Sequence, residues 1–157
     1  SDLYDATDNH LGDISASNTV AEQSAANVAF ASKQGWYIEF TRAGEKVLAS
    51  STTVAGETFF TTYEPTASST GCTVSAGTPR LYHIYTANAT PVMNYDGVGE
   101  DTELTKPDRE IQLHTQALPP SPQRLRIDGQ DIVCVGTECR TITSVETLTR
   151  TYWIEED

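Results

Sequence analysis

The chain has 157 residues, 22 acidic and 10 basic side chains, a formal charge of −12, and 38% apolar residues. That length fits one ordinary domain or a section of a larger one. A field this negative argues against binding nucleic acid or an anionic membrane surface, and no apolar run approaches the ~20 residues that span a bilayer.

The sequence begins at Ser1, its one methionine is Met93, and its opening residues carry no charged-then-apolar signal. A processed or excised piece of a longer protein is therefore expected. Lysine occurs only at Lys33, Lys46 and Lys106, while threonine is frequent. Thr, Val, Ile, Tyr and Phe suit a pleated, half-buried surface, and this balance is that of secreted β proteins.

The first eighteen residues are polar, with Asp2, Asp5, Asp8 and Asp13 among them, and read as irregular. One helix is expected over 19–34. Thr19 and Glu22 have capping-box spacing, Val20, Ala21, Ala25, Val28 and Ala29 recur near helical period, and Gln34-Gly35 ends the run. Strands are expected over 36–41, 46–53, 58–64 and 80–86, with a turn at Ala55-Gly56 and a Thr/Ser/Gly/Pro loop from Pro65 to Pro79. Residues 36–86 thus read as a β meander or one propeller blade.

Residues 87–109 read as a loop. A closing section, 110–157, follows. A strand is expected over 110–118, and Pro119-Pro120-Ser121-Pro122 is a stiff spacer unsuited to a central strand. Leu125–Ile127 is extended, Asp128-Gly129 is a turn, and 132–135 with 138–143 forms a hairpin. A last β-like run covers 149–154 before the acidic end Glu155-Glu156-Asp157.

The cysteines are Cys72, Cys134 and Cys139. Glycine at the first central position of a two-residue turn is the type II′ signature. With Gly136-Thr137 as that turn, Val135 pairs with Glu138 and Cys134 faces Cys139 at a non-hydrogen-bonded position, where strands come closest. A Cys134–Cys139 disulfide is expected, and with it an oxidising compartment. The alternative is two free thiols across a hairpin of a cytosolic protein. Cys72 pairs outside this piece or stays a buried thiol. No second Cys or His pair has the spacing of a zinc site.

Catalytic chemistry finds little support. His10, His83 and His114 are scattered and no Gly-x-Ser-x-Gly elbow is present, so His83 reads as a packed or surface residue. Two segments loosely fit a calcium loop: Asp2-x-x-Asp5-x-x-Asp8-Asn9, whose carboxylates are spaced for a cap or turn series, and Asn94–Asp101, with Asp96, Glu100 and Asp101 as candidate ligands. The latter lacks the alternating Asp order and a well-placed final Glu, so a solvated acidic loop is the plainer reading. Asn88-Ala89-Thr90 fits the glycosylation pattern, though Pro91 follows. Trp36, Trp153 and the tyrosines lie on strand-like runs and read as packing residues.

The order of several pieces carries a resemblance. Leu3-Tyr4-Asp5-x-Thr7-Asp8-Asn9 precedes Gly35-Trp36-Tyr37-Ile38, Gly44-Glu45-Lys46-Val47 and Phe59-Phe60-Thr61-Thr62-Tyr63-x-Pro65. Cys72, Gly77 and Arg80-Leu81-Tyr82 come next. Pro119-Pro120-x-Pro122, Cys134-Val135-Gly136-Thr137-Glu138-Cys139 and Arg150-Thr151-Tyr152-Trp153 close the series. This resembles the carboxy-terminal end of PilY-type proteins, type IV pilus tip adhesins and assembly factors of Gram-negative bacteria.

The resemblance implies an all-β fold with one short helix, forming the last one or two blades of a propeller, so that 1–157 is one piece of a larger domain. It implies passage through the periplasm to the pilus tip or outer cell surface. It also implies contact with minor pilins or the rest of the propeller, adhesion to host or abiotic surfaces, and a part in pilus assembly and retraction. Calcium binding is a family property, but no segment here matches the family's loop, and the Arg-Gly-Asp of some members is absent. The expectation is a non-enzymatic module. The alternatives are a quinoprotein-type propeller enzyme and a free-standing calcium-dependent β binding domain.

Overall fold

A computed structural model describes residues 1–15, 17–66, 76–98 and 103–142. The described chain is mainly β with one α-helix, in two antiparallel sheets and one parallel strand pair. Among the described residues, none of the sheets closes into a barrel.

The amino-terminal unit corrects the expectation of an irregular start. Strand β1 (Leu3–Asp5) lies parallel to β2 (Gly35–Tyr37), with Tyr4 opposite Trp36. Parallel neighbours need a crossover, and α1 (Val20–Phe30) supplies it. Thr19 caps that helix: its hydroxyl accepts from the Glu22 N–H, and Glu22 accepts from the Thr19 N–H at 2.8 Å. The helix is shorter than 19–34 and buries only Ala26, while Val20 and Val28 are 64% and 75% exposed. Its carboxy-terminal end docks through Phe30, which meets Tyr4 edge-on. The preceding loop is ordered by buried Asn18, whose amide donates to the carbonyls of His10, Gly12 and Asp13.

The main sheet is an antiparallel meander. Its first lane is broken into β3 (Lys46–Val47) and β4 (Thr52–Val54), where one run over 46–53 was expected. Both pair with β5 (Glu57–Glu64), which pairs with β6 (Thr78–Tyr85), which pairs with β7 (Glu110–Gln112). The expected strand over 110–118 is therefore three residues long. The run 36–41 lies outside the meander: its first two residues join β1, and 38–41 carry no ladder. Ala55 and Gly56 both have positive φ, which matches the right-handed twist of the β4–β5 hairpin.

The second sheet has the order β10–β9–β8, from β8 (Gln123–Ile127), β9 (Gln130–Val135) and β10 (Glu138–Thr141). Cys139 stands opposite Cys134, and Gly136 has φ +60°, as the turn chemistry requires. The run expected at 125–127 begins two residues earlier. Residues 149–154, Cys72 and Trp153 lie outside the described residues.

The meander is the central layer. On one face, Phe59 and Leu81 pack with Val54 and Leu113 against Val133 and Val135 of the second sheet and Ile142 just after it. On the other, Ile84 packs with Ala6 and Ala89, flanked by Tyr4, Trp36, Ile38 and Phe60. The proline spacer seals the first face: Thr61 and Thr52 donate to the Pro120 and Pro122 carbonyls.

Candidate functional site

Strand alternation sorts the polar side chains of the meander onto two faces. On the face covered by the second sheet, Glu57 and His83 are fully buried. His83 Nε2 lies 2.7 Å from Glu57 Oε2, and Nδ1 lies 2.7 Å from the Tyr95 hydroxyl. The imidazole also stacks on Phe59, with centroids 4.1 Å apart. Burial pushes the Tyr95 phenol up to about 12. His83 is thus buried and bonded at both nitrogens. It is a packed residue that ties the 91–98 loop to the sheet.

Asp108 organises the same loop from the other side. Burial raises its carboxyl, but N–H donors from Thr105, Asp96 and Tyr95 with the Thr105 hydroxyl outweigh that and hold it below the usual range. Of the candidate calcium ligands, Asp96 lies among the described residues. Asp96 Oδ1 accepts from the Val98 N–H and Asn94 Oδ1 from the Gly97 N–H. Glu100 and Asp101 lie outside the described residues. Among the described residues, no group of three or more His, Cys, Asp or Glu could hold a metal ion. Asn88 forms a turn of its own, accepting from Thr90 N and Oγ1.

The opposite face carries a charged cluster that sequence reading missed. Arg42 binds Glu110 through both terminal nitrogens and reaches Glu45 at 3.3 Å. Arg80 bridges Glu64 at 2.7 Å and Glu110 at 3.6 Å. Buried Glu45 also accepts from the Thr62 and Tyr82 hydroxyls. The Glu110 side chain holds the Arg42 guanidinium above its ordinary value, while burial, ahead of Glu110, pushes the Tyr82 phenol up.

Beside this cluster is a cleft of about 220 Å³ between residues 38–42 and the 106–110 turn. Ile38, Phe40 and Pro107 form its apolar wall. Arg109 lines it from within: Nη1 donates to Thr7 O and Nη2 to Asn9 Oδ1. Burial lowers the Arg109 guanidinium to about 10. A shallower aromatic groove runs along Trp36, Phe40 and Phe60, and the Trp36 indole donates to Thr86 O.

The cysteine hairpin forms as expected. The Cα atoms of Cys134 and Cys139 are 4.0 Å apart with their sulfurs at disulfide distance. Glu138 in the same hairpin accepts from the backbone and ring of His114 at 2.7 and 2.9 Å. No protein-family model, curated protein or solved structure matches this chain.

Proposed function

We propose that the chain is a non-enzymatic interaction module, the closing section of a PilY-type propeller at the tip of a type IV pilus. The observation that carries this reading is the Cys-Val-Gly-Thr-Glu-Cys hairpin, in which Cys134 faces Cys139 and Val133 and Val135 lock the hairpin onto the meander. A stapled hairpin of this kind suits an oxidising, extracellular setting reached through the periplasm. The four-lane meander has the strand order of a single blade, which the rest of a propeller would complete.

Partner contact is assigned to the open edges of the second sheet. Among the described residues β8 is an edge strand, all five of its residues are exposed, and Leu125 and Ile127 alternate with Arg124 and Arg126. Such an edge offers backbone hydrogen bonds to an added strand and side-chain pockets at alternate positions. Minor pilins are the proposed partners, with host or abiotic surfaces met by the loops. The test is a pull-down of minor pilins by the purified chain, beside piliation of a strain lacking this segment. Recovery of a minor pilin and reduced piliation are expected. No pilin recovered and normal piliation would overturn the proposal.

A further inference from the structure

The cleft beneath residues 38–42 is lined by three cations, Arg42, Lys106 and Arg109, and two carboxylates, Glu39 and Glu110, in a chain of formal charge −12. Two of the cations are already answered: Arg42 by Glu110 and Glu45, and Lys106 by Asp8 at 2.9 Å. Among the described residues, Arg109 has no carboxylate within ion-pair distance, and the charge of Asp8, already bonded to Lys106, reaches it only from farther off. It is 2% exposed, and among the described residues it donates to the neutral oxygens of Thr7 and Asn9, while its buried Nε–H has no hydrogen-bond partner. A buried guanidinium is strongly disfavoured unless an anion accompanies it.

We propose that this cleft binds a small carboxylate, whose charge answers Arg109 and whose short apolar body lies along Ile38, Phe40 and Pro107. A planar two-oxygen anion suits the guanidinium fork. Glu39 and Glu110 in the same walls disfavour a dianion such as sulfate, so the site selects a single negative charge. Lys106, 45% exposed, is the cation an incoming acid meets first. This assignment does not rest on the pilus-tip reading. The acid is either a free short-chain carboxylate or the carboxylate at the end of a peptide.

The test is a magnetic-resonance titration of the ¹⁵N-labelled full chain with sodium propionate, against sodium chloride at the same ionic strength. The Arg109 Nε–Hε signal and the amides of Phe40 and Glu110 are expected to shift saturably with propionate and not with chloride. R109K is expected to weaken binding about tenfold, since a point charge replaces a planar fork. Glu39→Gln is expected to tighten it severalfold by removing a like charge. A peptide that binds with a free carboxy terminus and not when amidated assigns the source to a chain end. Equal binding of propionate and both peptides assigns it to free acids. A response that follows ionic strength, or equal binding of sulfate, would overturn the proposal, as would the absence of any saturable shift. If R109K does not fold, the propionate and chloride arms on the unaltered chain decide alone.

Discussion

The two faces of the meander bury similar strands in different ways. Toward the second sheet, Phe59, Leu81 and Leu113 are sealed by Val133, Val135 and Ile142, and the polar groups there, Glu57 and His83, are enclosed with Tyr95. Toward the amino-terminal unit, Phe60 and Tyr82 stack at 4.7 Å, yet beside them lie Arg42, Glu110 and a cleft. The first face is closed and serves stability. The second is only partly covered and leaves room for a ligand. The difference follows from what covers each face: a three-stranded sheet with apolar alternation in one case, a three-residue parallel pair and a sparsely buried helix in the other.

The largest effect should separate the faces directly. Phe59→Ala is expected to destabilise by about 3–5 kcal/mol, the usual range for a fully buried aromatic. Phe60→Ala, at a half-buried site, should cost roughly 1–2 kcal/mol on the ~25 cal/mol per Å² scale for apolar burial. Urea denaturation of both variants measures the gap, and equal costs would break the contrast.

Asp108 ties Tyr95 and Asp96 to Thr105 through their backbone N–H groups. Its folded pKa lies below its unfolded value near 3.8, so its contribution is present above that pH and lost as pH falls through the folded value. Asp108→Asn should cost about 1–3 kcal/mol at neutral pH, the range for buried donors left unpaired. The variant should also lose less stability than the unaltered chain between pH 4 and 2, read from melts across that range.

Reducing the hairpin should act on the closed face, because Val133 and Val135 flank Cys134. A loop this short implies about 2 kcal/mol on the chain-entropy scale. Intact mass after alkylation without reductant should show two protected thiols. Three alkylated cysteines would contradict the bridge. On the open face, Glu110→Gln removes a partner from part-exposed Arg42 and should cost under about 1 kcal/mol. The smallest change is Ala55→Gly, expected to stabilise by about 0.5–1 kcal/mol because Ala55 sits at φ +51°.

The parts legible in the sequence were those fixed locally. The hairpin expected over 132–135 and 138–143, and observed as Gln130–Val135 and Glu138–Thr141, followed from a turn glycine and two symmetrically placed cysteines. Strands β5 and β6 are eight residues each, long enough for turn signals and apolar content to mark them. The run at 36–41 marked two residues of β2, but β1 is three residues long and pairs with it across thirty-two positions, so neither β1 nor the parallel pairing had a local signal. The cleft was equally hidden. Arg109 follows Lys106-Pro107-Asp108 and reads as part of a solvated loop, while the oxygens that hold it belong to Thr7 and Asn9, about a hundred residues away. Glu57 sits just after a turn, where a carboxylate normally meets water. Its alternation with inward-facing Phe59 was the available signal that it points inward.

The central proposal, that the second sheet receives a minor pilin, is tested most directly by hydrogen exchange of the chain alone and in the presence of minor pilins. Slower exchange confined to the amides of β8 and its neighbours is the predicted result. An exchange pattern unchanged by any minor pilin would contradict it.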